Sequence, residues 1–77
     1  MNDYQHLQRL ITQATQRYLE HAGTSGKLLH DFTHNIEKNI IETTLSFCEG
    51  NYSTTAQSLG ISRTTLYSKL KKHNIIK

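Results

Sequence analysis

The run Glu49-Gly50-Asn51-Tyr52-Ser53-Thr54-Thr55-Ala56-Gln57-Ser58-Leu59-Gly60-Ile61-Ser62-Arg63-Thr64-Thr65-Leu66-Tyr67-Ser68-Lys69-Leu70-Lys71-Lys72-His73 alternates helix stops with helix starts. Gly50 reads as the C′ residue of a helix arriving from upstream, and Asn51 or Ser53 as the N-cap of the next. That next helix has two turns and reaches Leu59. Gly60 ends it, and Ser62 caps a last helix running to about His73. Alanine at 56 and glycine at 60 meet the demands of a helix-turn-helix. The small side chain lets two helices approach closely, and the glycine supplies the positive φ of a tight turn. Ile61 and Leu66 then fill the angle between the helices, while Leu59 and Leu70 close the core.

The outward face of the last helix carries Arg63, Thr64, Tyr67, Ser68, Lys71 and Lys72, all hydrogen-bond donors and none acidic. The formal charge of +3 conceals an asymmetry. All six acids lie in residues 1–49 with four bases, whereas residues 50–77 hold five bases and no acid. One end of the chain is suited to a polyanion. In helix-turn-helix motifs the second helix enters the major groove of duplex DNA, and phosphates lie against helix N-termini and flanking lysines. Arg63, at the first helical position, is placed for a bidentate contact to guanine, with Thr64 and Thr65 beside it. Lys69, Lys71 and Lys72 come later, where such a helix meets the sugar-phosphate backbone whatever its sequence. Tyr67 either touches a phosphate or thymine methyl or packs over Lys71.

Upstream the period is helical throughout. Leu7, Leu10, Ile11, Ala14, Tyr18 and Ala22 form one amphipathic stripe, with Asp3 the expected N-cap and Gly23 the stop. The short loop Gly23-Thr24-Ser25-Gly26 favours an antiparallel pair. The second helix, residues 27–49, has two apolar stripes on a wheel of about 100° per residue. Leu29, Phe32, Ile36, Ile40 and Phe47 form the first, expected to lie between chains; Ile41, Leu45 and Cys48 form the second. Asp31, Asn35, Lys38, Glu42, Ser46 and Glu49 hold the wet face. So wide an apolar arc must be covered by two things: the first helix and a partner chain on one side, and the residues after 50 on the other.

Composition narrows the function classes. With 77 residues, no proline and one cysteine, there is room for one small domain and no disulfide framework. Chains this small are marginal alone, which leads us to expect an oligomer. The polar start lacks a signal peptide, and no apolar run exceeds two residues, so a cytoplasmic protein without membrane contact is expected. No nucleophile–base pairing or phosphate-binding glycine loop is present, and no enzymatic activity or cofactor is expected. His30 and His34 have the i, i+4 spacing of metal ligands but lack companions, so they read as solvated and no metal is expected. Cys48 reads as an apolar filler.

Residues 49–73 closely resemble the C-terminal helix-turn-helix of the Fis family, which includes the nucleoid protein Fis and the DNA-binding ends of sigma-54-dependent activators. The resemblance extends upstream to about residues 7–74, where two helices lead into Gly50-Asn51. It implies an all-α fold of four helices per chain: a two-helix dimerisation core in residues 1–49, then a helix-turn-helix in residues 50–77, joined in an intertwined homodimer that binds and bends double-stranded DNA. By position, Arg63 matches the base-reading arginine, and Asn51 and Ser53 match backbone-contacting residues. Ser62, Thr65, Lys69, Lys71 and Lys72 match further contacts, and Thr54 and Ser68 complete the candidate set. RNA polymerase is a further expected partner. Tyr67 and Ser68 replace basic residues of nucleoid Fis, Tyr67 as in many sigma-54-dependent activators, and Asn74 replaces a glycine. Only six residues precede Leu7, too few for the N-terminal β-hairpin arm of Fis. The sequence thus admits a regulator of transcription or organiser of the nucleoid, an excised C-terminal part of a sigma-54-dependent activator, or a protein-interaction module with a basic helix.

Overall fold

In the computed structural model, which describes residues 2–23 and 26–76, the chain is all-α. Its elements are α1 (Asp3–Ala22), α2 (Leu28–Phe47), α3 (Tyr52–Leu59) and α4 (Arg63–Lys72). Packing divides the chain into two compact units, Met1–Phe32 and Thr33–Lys77. This division falls within α2, whereas the functional boundary expected from sequence lies between residues 49 and 50.

In the first unit the N-cap is Asn2, not the expected Asp3. Asn2 has extended backbone and accepts a 3.1 Å bond from the Gln5 amide, which leaves Asp3 as an acid in the first turn. Tyr18 meets the edge of Phe32 with ring centroids 5.5 Å apart, and its hydroxyl donates to Asp31 at 3.1 Å. No residue of α1 is buried, and Leu7, Leu10 and Ile11 of its apolar stripe remain exposed. Thr24 and Ser25 of the expected loop lie outside the described residues.

In the second unit the core is Ile41, Ala56, Leu66 and Leu70, each at most 2% exposed. Leu45, Tyr52, Leu59, Ile61, Ile75 and Ile76 pack around it. The second stripe of α2 is therefore covered by the helix-turn-helix. Of the first stripe, Ile36, Ile40 and Phe47 stay exposed, Phe47 at 88%.

Local chemistry fixes the turns. Asn51 Oδ1 caps α3 by accepting from the Thr54 amide at 3.0 Å. Gly60 ends α3 in the left-handed conformation (φ 75°), and its N–H bonds back to Ala56 and Gln57. After α4, Asn74 adopts φ 58°, with Asn74 N–H donating to Lys71 O and Ile75 N–H to Leu70 O. This Schellman arrangement turns the tail back onto the core. The end of α2 departs from expectation. There Glu49 N–H bonds Ser46 O, Gly50 N–H bonds Leu45 O, and Glu49 has φ 55°. The C′ residue is thus Glu49, not Gly50, and α2 stops at Phe47.

One acid ties α4 to α2. Glu37 Oε2 accepts from Lys69 Nζ at 3.0 Å, and Oε1 lies 2.8 Å from His73 Nε2 and 3.9 Å from Lys72 Nζ. His73 is 1% exposed, and its Nδ1 has no hydrogen-bond partner. The tautomer that leaves only a lone pair unmet there has Nε2–H donating to Glu37. The His34 ring stacks 4.4 Å away at a 50° tilt.

Two stability predictions follow from this geometry. A non-glycine residue in the left-handed region costs on the order of 1 kcal/mol. Glu49→Gly should therefore raise stability in urea unfolding by about 1 kcal/mol, and Asn74→Gly by less, because asparagine tolerates that conformation. The bonds from His73 and Lys69, with the charges of Lys69 and Lys72, hold the Glu37 carboxyl at about 2, below its ordinary 4.5. A depressed folded-state value means the stabilisation is complete above about 4.5 and disappears as pH falls toward 2. Acid unfolding of the wild type should be steeper over that interval than that of Glu37→Gln, measured by circular dichroism.

Candidate nucleic-acid interface

The interface is built on α4. Leu66 and Leu70 face inward with no exposed surface. Residues on the opposite side of the helix are thereby turned outward. Arg63, Thr64, Thr65, Tyr67, Ser68, Lys71 and Lys72 are all exposed, and no acid stands among them. Ser62 begins the helix: its Oγ accepts from the Thr65 amide at 3.0 Å and lies 2.9 Å from the Thr65 hydroxyl. This cap places Arg63 at the first helical position, where the helix dipole adds positive potential.

Tyr67 stands one turn beyond Arg63. Lys71 Nζ lies 5.7 Å from its ring centroid, the geometry of a cation–π contact. Of the two possibilities for Tyr67, packing against Lys71 is therefore present in the free chain. Tyr52, not singled out from the sequence, lines a hollow of about 450 Å³ with Arg63, Thr64, Tyr67 and Ser68. No local signal in the sequence marks it, because its place beside Arg63 depends on how α3 crosses α4.

The remaining candidates divide. Ser53 and Thr54 lie exposed on the first turn of α3. Asn51 is also exposed but spends its side-chain oxygen on the Thr54 amide. Lys72 projects with 57% of its side chain exposed. Lys69 does not join this face; it is half-buried and paired with Glu37. Lys77 lies outside the described residues.

The histidines and cysteine also find places. His34 is half-buried and stacked on His73 rather than solvated, while His30 lies 3.5 Å from the Asp31 carboxylate. Cys48 is half-buried, with Sγ 4.0 Å from Ser58 Oγ. Among the described residues no group of three His, Cys, Asp or Glu side chains is placed to hold a metal ion. No described helix is long and apolar enough to cross a membrane.

Comparison with known proteins places this geometry. Residues 33–73 match the family described as "Bacterial regulatory protein, Fis family". A protein of Xylella fastidiosa (strain 9a5c) named "Putative Fis-like DNA-binding protein" is 35% identical over 72 residues, covering 91% of this chain and 80% of the relative. A "Signal-transduction and transcriptional-control protein" of Clostridium beijerinckii is 48% identical over 40 residues, covering 52% of this chain. The chain spans only 6% of that relative's length. No solved structure matches the chain significantly. A helix-turn-helix with an acid-free outer face, the matched span, and a relative similar along nearly the whole chain lead to one assignment: the chain belongs to the Fis family of bacterial regulatory proteins.

Proposed function

We propose that this protein binds double-stranded DNA as a homodimer and bends it, and so regulates transcription or organises the bacterial nucleoid. The observation that carries the reading is the exposed, acid-free face of α4 standing on a fully buried pair of leucines. A ten-residue helix held this way presents Arg63 at its leading end for base edges and Lys71 and Lys72 at its trailing end for phosphates. The names of the Xylella and Clostridium relatives, one DNA-binding and one transcriptional-control, point the same way.

The exposed first stripe of α2 supports the dimer. Ile36 and Ile40 line an apolar hollow of about 300 Å³ with Ile41, Leu59 and Ile61, and a second copy would cover them. Two α4 helices related by a twofold axis would then address successive major grooves. The match to a small part of the much longer Clostridium protein favours a second reading of the context. In it, the same module serves as the DNA-binding part of a larger activator. The natural reading frame around this sequence distinguishes the two.

Arg63→Ala should weaken binding to a preferred duplex by about 1–3 kcal/mol and reduce its preference over random duplex, measured by band shift. Equal, undiminished binding to both would remove Arg63 from the reading role. Affinity indifferent to salt would instead favour the protein-interaction module.

Ile36→Asp should yield a monomeric or unfolded product that no longer bends DNA. Sedimentation and a circular-permutation bending assay check this; a stable, active dimer would contradict the packing.

A further inference from the structure

The four described bases after residue 50, Arg63, Lys69, Lys71 and Lys72, do not all face one way. Lys69 lies two residues from both Tyr67 and Lys71, which turns it about 200° around α4 from each. It therefore points away from the acid-free face and toward α2. There its ammonium lies 3.0 Å from Glu37, with 30% of the side chain exposed. Lys69 also lines the hollow formed by Ile36, Ile40, Leu59 and Ile61. The same carboxylate reaches His73, fully buried at the C-cap of α4. Lys69 and His73 lie on successive turns of one helix, so two contacts to a single acid pin the trailing end of α4. Leu66 and Leu70 hold its inner face. Glu37 follows Ile36 in α2, so this tether links the helix bearing the exposed isoleucines to the helix bearing Arg63.

We propose that Glu37 is a positioning residue for the DNA-facing helix and that it withdraws Lys69 from the cations that contact phosphate. The proposal rests on the DNA-binding reading above and deepens it. Drawing Lys69 to a phosphate would break a 3.0 Å ion pair and leave the Glu37 charge without its nearest ammonium. The backbone-facing charge of each subunit then belongs to Lys71 and Lys72, with Lys72 held only loosely at 3.9 Å from Glu37, and Arg63 is left to base edges.

Each phosphate-neutralising cation contributes about 0.9 to the slope of log affinity against log salt. The test is that slope, measured by fluorescence anisotropy with a labelled duplex for the wild type and variants. Lys71→Met should flatten it by about 0.9 per bound subunit, whereas Lys69→Met should leave it at the wild-type value. Glu37→Gln keeps the side-chain volume and frees Lys69, so it should steepen the slope by about 0.9 per subunit. Adding Lys69→Met to Glu37→Gln should return the slope to wild type. An acid with a merely structural role would lower affinity without moving the slope. Flattening by Lys69→Met equal to that by Lys71→Met, or an unchanged slope in folded Glu37→Gln, overturns the proposal. If Glu37→Gln does not fold, Lys69→Met alone decides. A wild type that binds no duplex overturns the DNA-binding reading and this proposal together. A wild type that binds, with Lys69 contributing to the slope, overturns this proposal alone.

Discussion

The functional half of this protein depends on the burial of Leu66 and Leu70 against Ile41 and Ala56. A ten-residue helix in water does not persist on its own propensity. Helix α4 is further disadvantaged by its two threonines and its serine. Its order is supplied by tertiary contact, and that contact also sets its rotation. Once residues 66 and 70 point inward, the helical period directs 64, 68 and 71 outward, while Arg63 is exposed because it stands at the first position of the helix. The chemistry of the outer face is thus free to vary, while its direction is fixed by two apolar side chains and the alanine that lets α3 come close.

Polar contacts refine what the leucines establish. Buried histidine is tolerated here because Glu37 takes one ring nitrogen and because the tautomer leaves only a lone pair, not an N–H, unmet at the other. The carboxylate retains one-third of its exposure, so solvent shares the stabilisation of its charge. The tether is therefore better suited to orienting α4 than to holding the domain together, and removing it should leave the leucine packing in place. Rigid placement matters more than stability for a reading helix, since base contacts require atoms to arrive in fixed geometry.

Features governed by neighbouring residues were legible in the sequence. The cap at Ser62, the left-handed turn at Gly60 and the narrowing of the α3 cap to Asn51 or Ser53 all follow from side-chain chemistry within a few positions. The inward set of the helix-turn-helix followed from period alone. Where a glycine competed with its neighbour the reading failed: Glu49, not Gly50, takes the C′ place, because the Schellman bonds from residues 49 and 50 fix the register one position earlier. Asn2 displaced Asp3 for a similar reason, one residue of register deciding which side chain reaches the free amide. The Glu37–His73 pair was not legible at all. Its members lie 36 positions apart, and no periodicity encodes which acid of α2 meets which base of α4. Tyr52 was missed because its place beside Arg63 depends on how α3 and α4 cross.

The same limitation bears on charge. Counting bases in residues 50–77 treats the segment as a uniform cation, but a helix distributes its charges by angle. With Lys69 committed to α2, the outer face keeps its cations at its two ends, Arg63 at the start and Lys71 and Lys72 at the finish, with hydroxyl side chains between them. A charge distribution of this kind draws less of its affinity from counterion release and leaves a larger share to direct contact at the leading end of the helix. Tyr67 and Ser68 reinforce that balance. They occupy the middle of the face with groups that hydrogen-bond or stack without adding charge, and the contact of Lys71 with the Tyr67 ring holds one trailing cation close to the helix. On the DNA-binding reading proposed above, a protein so arranged has two sequence-indifferent cations on this face, Lys71 and Lys72, and leaves discrimination to Arg63.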